Sequence, residues 1–133
     1  MYFFRYGTDG GKDSGVIGLW ICEIKWLFSI VILKFKEGTR ENYHSHAFNA
    51  YTFFISGMIE EELLNKKTKI WIPSFYPKYT PRNTFHKVKA LKETWCISFR
   101  GPWLDYWYEY SPKDEEYILL THSRIILNKF KLI

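Results

Sequence analysis

Cysteine is scarce in this 133-residue chain: Cys22 and Cys96 are the only two. Neither belongs to a CxxC pair, which excludes a zinc knuckle or a dithiol redox centre of that type. Both lie in apolar, strand-like runs at 19–22 and 95–97, where a buried free thiol is expected. Long apolar runs are also missing. Residues 26–33 form the longest uncharged apolar stretch near the N-terminus, too short to cross a bilayer. Residues 1–5 carry no apolar h-region and no small-residue cleavage site, so no secretory signal and a cytoplasmic protein are expected. There is no internal repeat, no low-complexity segment and no long stretch of helical periodicity, which sets aside repeat arrays and long helices.

What is abundant is aromatic. The side chains include 6 Trp, 10 Tyr and 11 Phe, 20% of the chain. Such residues suit pleated, half-buried surfaces and tilt the reading toward sheet. The length suits one domain spanning 1–133, able to bury about two-thirds of its unfolded surface. The net charge is +5 and the isoelectric point about 9.1, a mild attraction for anions such as phosphorylated small molecules or nucleotides. A simply solvated basic surface accounts for the same charge.

Residues 7–15 are rich in Gly and Asp and read as a loop. Residues 16–25 and 26–36 are strand-like, the second with a clear period of two. Further strands are expected at 40–46 and 48–55, with a turn at Ser56-Gly57. The segments 58–64 and 69–72 flank a hairpin tip at Asn65-Lys66-Lys67. Pro73, Pro77 and Pro81 punctuate a stretch that central strands would not tolerate. Residues 85–91 and 94–99 are two more strands. The segment 103–110 has no clear assignment, and the tail from 117 reads as a last strand or a short helix. The pattern defines an all-β chain, an antiparallel sandwich or barrel with little helix.

Two histidines, His44 and His46, stand two residues apart, so on a strand both point to one face. There they can share a metal or act as a paired acid and base. Forty residues on, His86 follows Pro81-Arg82-Asn83, a turn sequence that would deliver it onto a strand. Each histidine alone also fits an ordinary structural role. Taken together, the spacing of Gly38, His44, His46 and Gly57 and that of Pro81, Asn83 and His86 resembles the two motifs of the cupin family. Asn83 replaces the usual Gly and would stand in for it if φ must be positive. The resemblance covers roughly residues 30–100. It implies an antiparallel jelly-roll β-barrel and a divalent metal (Fe, Mn, Zn or Ni) on His44, His46 and His86. The segment 95–103 further resembles small cupins encoded in phage genomes, which would place the protein in a host cytoplasm. The family's motif carboxylate is absent: Ala50 and Tyr51 occupy its place. Phe75 and Ala90 replace the Gly and Asn that bracket the second motif. Three imidazoles can still hold a metal with open positions.

Other candidates are weaker. Glu60 and Glu62 share one strand face and Glu61 takes the other; one face could supply a general base, but a solvated edge strand is the expected reading. Arg40, Arg82 and Arg100 are candidate anion ligands, Arg100 in bidentate fashion. Trp103 and Tyr51 are candidate substrate contacts. Phe48, Ala50, Thr52 and Phe54 share one face, which the family resemblance implies is the pocket wall, because the family's carboxylate points inward there. Tyr51, Phe53 and Ile55 lie on the opposite face and suggest sheet packing or a homodimer interface. Three functions fit: a metal-dependent enzyme on a small anionic substrate, a metal-free histidine phosphodiesterase cleaving a cyclic nucleotide or dinucleotide, or a non-catalytic binder that sequesters such a nucleotide. No membrane partner is expected.

Overall fold

The computed structural model describes residues 2–9, 15–39, 43–64, 67–104, 106–111, 114–121 and 126–130. Among them every regular element is a strand. The strands are β1 (Tyr2–Thr8), β2 (Val16–Ile24), β3 (Phe28–Phe35), β4 (Gly38–Thr39), β5 (Tyr43–His44), β6 (Ala50–Ser56) and β7 (Ile59–Leu63). There follow β8 (Thr68–Trp71), β9 (Lys78–Thr80), β10 (His86–Ala90), β11 (Thr94–Arg100), β12 (Tyr106–Ser111), β13 (Glu116–Thr121) and β14 (Ile126–Phe130). One sheet runs β1-β2-β3-β11-β6-β9 and the other β14-β13-β12-β5-β10-β7-β8, with β4 on β10. Every pairing is antiparallel. This is the all-β, antiparallel architecture the strand pattern and turn spacing call for, in the jelly-roll form the family resemblance implies. No helix is long and apolar enough to cross a membrane among the described residues.

The main core contains Val16, Trp20, Val31, Leu33, Phe54 and Cys96 from the first sheet, and Ile59 and Ala90 from the second. Burying each large apolar side chain stabilises the fold by roughly 1.5–3 kcal/mol. A second cluster, Ala47, Phe48 and Ala50, is backed by Trp103, Leu104 and Trp107. Both cysteines are buried and free, as their apolar flanks imply.

Strand β6 shows how alternation sorts the two faces. Ala50 and Phe54 are buried, and with Thr52 between them they face inward. Tyr51 and Ile55 point outward, more than half exposed. Outward Tyr51 lies in register between Phe99 and Tyr79, and Phe53 opposite Ile97, so an apolar belt crosses the outside of the first sheet.

Gly57 closes the β6–β7 turn at φ 95°, a left-handed conformation that glycine adopts without penalty. A Cβ there would stand 2.3 Å from Thr94 Oγ1, so the position has no room for a side chain. Asn83, by contrast, does not take positive φ: outside glycine only Phe4 and Glu115 do among the described residues. The turn before His86 closes instead through Thr84 N–H on the Pro81 carbonyl, 3.1 Å.

Several local expectations are corrected. The proline-punctuated stretch does hold a strand, β9, but at the sheet edge and between Pro77 and Pro81, where missing N–H groups cost nothing. The segment from 106 and the tail form the antiparallel run β12-β13-β14, and the helical alternative for the tail is excluded over 116–121 and 126–130. Strand β7 is no edge strand. It lies between β10 and β8, which matters for Glu61.

Candidate metal centre

His44 ends β5, and its Cα partner across the sheet is His86 at the start of β10. His46 lies two residues beyond the strand. Its backbone is pinned on both sides: Ser45 N–H donates to the Tyr108 carbonyl at 2.8 Å, and His46 N–H to the Arg82 carbonyl at 3.2 Å. Three rings thereby converge, with centroids 4.8 to 5.2 Å apart. Their ligand nitrogens all lie within 4.8 Å of one another, and His46 Nε2 is 3.0 Å from His86 Nε2. His44 and His86 are buried and His46 is half-buried.

Behind His86 stands Glu61, buried in the middle of β7. Its Oε2 lies 2.5 Å from His86 Nδ1 and 2.8 Å from Lys78 Nζ, while Trp71 Nε1–H donates to Oε1 at 3.2 Å. Lys78 Nζ also donates to Thr80 Oγ1 at 2.5 Å. Burial alone would raise the Glu61 carboxyl. The hydrogen bond from His86 and the charge and hydrogen bond of Lys78 outweigh it and hold the group down at about 2. Glu61 is therefore a carboxylate at neutral pH. As an acceptor it requires a proton on His86 Nδ1, so in the neutral form of that ring the lone pair is on Nε2, turned toward His46. The expectation of a solvated face for the three glutamates is thus corrected. Glu60 and Glu62 are half-buried, and Glu61 is an interior residue tied to a histidine.

The donor set fits a divalent transition metal. Neutral imidazole suits iron, nickel and zinc, and two nitrogens each roughly 2.1 Å from one ion stand about 3 Å apart, as His46 and His86 do. A carboxylate on the far nitrogen of a ligating histidine fixes its tautomer and ring orientation.

The histidines open onto a cavity of about 100 Å³ between the sheets. Ala50, Thr52 and Phe54 form part of its wall, together with Glu61 and Lys78. Cys96 lines it too, and burial pushes its thiol up to about 12 despite the Arg100 charge nearby. Arg100 is buried at 5% exposure, with its Nη2 2.8 Å from Asp9 Oδ2. Phe48 touches both polar groups: its ring stacks on His46 at 5.1 Å and lies 4.6 Å from the Arg100 guanidinium carbon.

The remaining sequence candidates are not brought to this cavity. Tyr51 is on the outer face, against the Tyr79 ring at 4.8 Å, because residue 51 has the opposite parity to the wall residues 50, 52 and 54. The Arg82 side chain is exposed; only its backbone serves the site, through His46 and through Asn49 Oδ1 at 2.8 Å. Trp103 packs behind Phe48 at 4.8 Å and supports the wall without lining it. Arg40 lies outside the described residues. Sequence reasoning missed Lys78 and Asp9 as site residues. Glu61 had a readable signal: it sits at i+2 from buried Ile59, on the inward parity of its strand.

No family model matches the chain, and no curated protein matches it in sequence. Solved structures do match in shape. One is an RmlC-like cupin from Shewanella frigidimarina, 14% identical, covering 74% of this chain and 84% of its own with a TM-score of 0.58. Another is KdgF from a Halomonas species, 18% identical, covering 78% and 97% with a TM-score of 0.59. A third, described as a putative sugar phosphate isomerase from Acidithiobacillus ferrooxidans, is 13% identical and covers 88% and 78% with a TM-score of 0.58. The fold of this chain is the cupin jelly roll.

Proposed function

We propose that this protein is a small-molecule cupin enzyme whose His44, His46 and His86 hold one divalent metal and act on a compact anionic substrate. The observation that carries the reading is the 3.0 Å approach of the His46 and His86 Nε2 atoms with Glu61 seated behind His86. When bound, such an ion supplies Lewis acidity toward a substrate oxygen. The chain's own residues do the rest. Glu61 keeps the His86 proton on Nδ1, and Lys78 balances the Glu61 charge. Val16, Leu33 and Phe54 line the cavity with apolar surface, which strengthens electrostatic interactions inside it. The cavity, about 100 Å³ against roughly 10–15 Å³ for one water, suits a sugar-sized molecule better than a dinucleotide. The neighbour described as a sugar phosphate isomerase agrees with that size class. The test is metal analysis of protein purified without chelators, paired with the H44A and H86A variants. Close to one metal per wild-type chain, lost in both variants, is expected; under about 0.2 per chain with no uptake of added metal would sink the reading.

A second reading rests on the same contact. Without a metal, 3.0 Å between two Nε2 atoms is an N–H···N hydrogen bond, and Glu61–His86–His46 becomes a proton relay. Paired histidines of this kind serve as general acid and base in metal-free phosphodiester cleavage of a cyclic nucleotide. Chromatography of cyclic nucleotides incubated with metal-stripped protein distinguishes the outcomes: cleavage supports the relay, and recovery of intact ligand from denatured protein supports a sequestering binder.

The outer apolar belt through Tyr51, Phe53 and Phe99 is proposed to seat a second copy of the chain, as an exposed patch of this kind is rarely left open. Light scattering should then give twice the chain mass, and Y51E should return it to one.

A further inference from the structure

The cavity holds a second charged group that the metal reading does not use. Arg100 is the last residue of β11, 5% exposed, and it lines the same cavity as the histidines. A guanidinium carries five N–H donors, one on Nε and two on each terminal nitrogen. Nη2 donates to Asp9, but among the described residues buried Nε and Nη1 have no hydrogen-bond partner. Three of its five N–H groups are therefore without an acceptor. Burying a charged donor without its acceptor is costly, and a fold does not keep such a group for stability. Arginine's fixed fork is also the side chain best matched to carboxylate and phosphate oxygens.

The counter-ion is informative as well. Asp9 lies just beyond β1, which among the described residues is an edge strand paired with β2, and its side chain is 30% exposed while that of Arg100 is 4%. The pair is thus a fixed cation held by a carboxylate at the margin of the sheet. A displaceable carboxylate on a buried guanidinium occupies the kind of position that a ligand's oxyanion would take.

We propose that Arg100 is the oxyanion anchor of the cavity, binding a carboxylate or phosphate of the substrate through Nε and Nη1, and that Asp9 competes with that anion for the guanidinium. This deepens the enzyme reading and rests on it for the identity of the reacting end. Phe48, in contact with both Arg100 and His46, sets the spacing: the substrate's anionic group lies about one ring's width from the histidines. The substrate class is then a short molecule with an oxyanion at one end and its reacting oxygen at the other.

Calorimetric titration of as-purified protein with inorganic phosphate, and separately with malonate, tests this. Saturable binding of at least one is expected; binding of neither overturns the proposal. R100Q should weaken that binding about tenfold or more, the loss typical of a charged hydrogen-bonding group. R100K, which keeps the cation in case R100Q folds poorly, should weaken it less. Wild-type affinity in both variants overturns the anchor. D9N leaves Arg100 in place and should tighten binding about two- to fivefold, as expected for a partly exposed ion pair. Unchanged or weaker binding in D9N overturns the competition. Two controls separate this proposal from the metal reading. Wild-type protein stripped with chelator should still bind phosphate, and R100Q should weaken that binding as it does in as-purified protein. If stripping abolishes phosphate binding while R100Q does not, the anion sits on a metal and the Arg100 assignment is wrong.

Discussion

One cavity carries two polar groups built on opposite terms. Around Glu61 the charges are matched: a carboxylate meets buried Lys78 and His86 and the N–H of half-buried Trp71. Around Arg100 they are not: one partly exposed carboxylate meets a guanidinium with three N–H groups to spare. The contrast teaches where each group does its work. A buried, matched network fixes geometry and holds the His86 ring for a task performed at its other nitrogen. A buried, undersatisfied cation costs stability, and the proposed oxyanion would complete its hydrogen bonds.

The largest effect is expected where the matched network is cut. E61A strands the buried Lys78 ammonium and should destabilise the fold by about 3–5 kcal/mol in urea unfolding, the usual cost of an orphaned buried charge. E61Q keeps the shape and should lose about 10- to 100-fold in metal affinity, because His86 is no longer held by a carboxylate. Were E61A as stable as wild type, the network would not be the organiser of this half of the cavity. Next comes G57A, at the turn leading into β7. The left-handed backbone and the 2.3 Å approach to Thr94 Oγ1 should together cost about 1–3 kcal/mol, read as a lower melting temperature.

The contrast is sharpest for R100M. Replacing a poorly satisfied buried cation with an apolar side chain of similar length should leave stability within about 1 kcal/mol of wild type, or raise it. A loss as large as that of E61A would erase the difference between the two groups. The smallest effect concerns Cys96. With its thiol held up at about 12, it stays protonated in the folded state where an unfolded thiol, near 9, would ionise. Native protein should therefore leave Cys96 unalkylated by iodoacetamide at pH 8 and react only after unfolding. The same shift removes stability as pH rises above 9 toward 12, since the unfolded chain releases a proton that the folded chain retains.

The histidines and the strand pattern were legible because each depends on local spacing. His44 and His46 share a face by parity, and alternation in 50–55 separated two apolar faces, of which the family resemblance picked the inward one. Glu61 was legible only in part. Its parity matched Ile59, but whether β7 was an edge depended on β8 and β10, and pairing order is not written in a single strand. Lys78 sits among prolines, where local rules point to a loop, and tertiary pairing with β6 makes the strand. Asp9 is 91 residues from Arg100, and only the strand order β1-β2-β3-β11 of the first sheet brings them together. The Tyr51 assignment came from the family spacing of a missing carboxylate. The site instead has Glu61, from a different strand and placed behind His86.

The three histidines are proposed to form one metal site. Crystals of protein purified without chelators, with diffraction recorded at the absorption edges of iron, nickel and zinc, test it most directly. The account predicts one anomalous peak roughly 2.0–2.2 Å from a nitrogen of each of His44, His46 and His86. Density for water alone, or a His46–His86 hydrogen bond with no peak after soaking in metal, would contradict it.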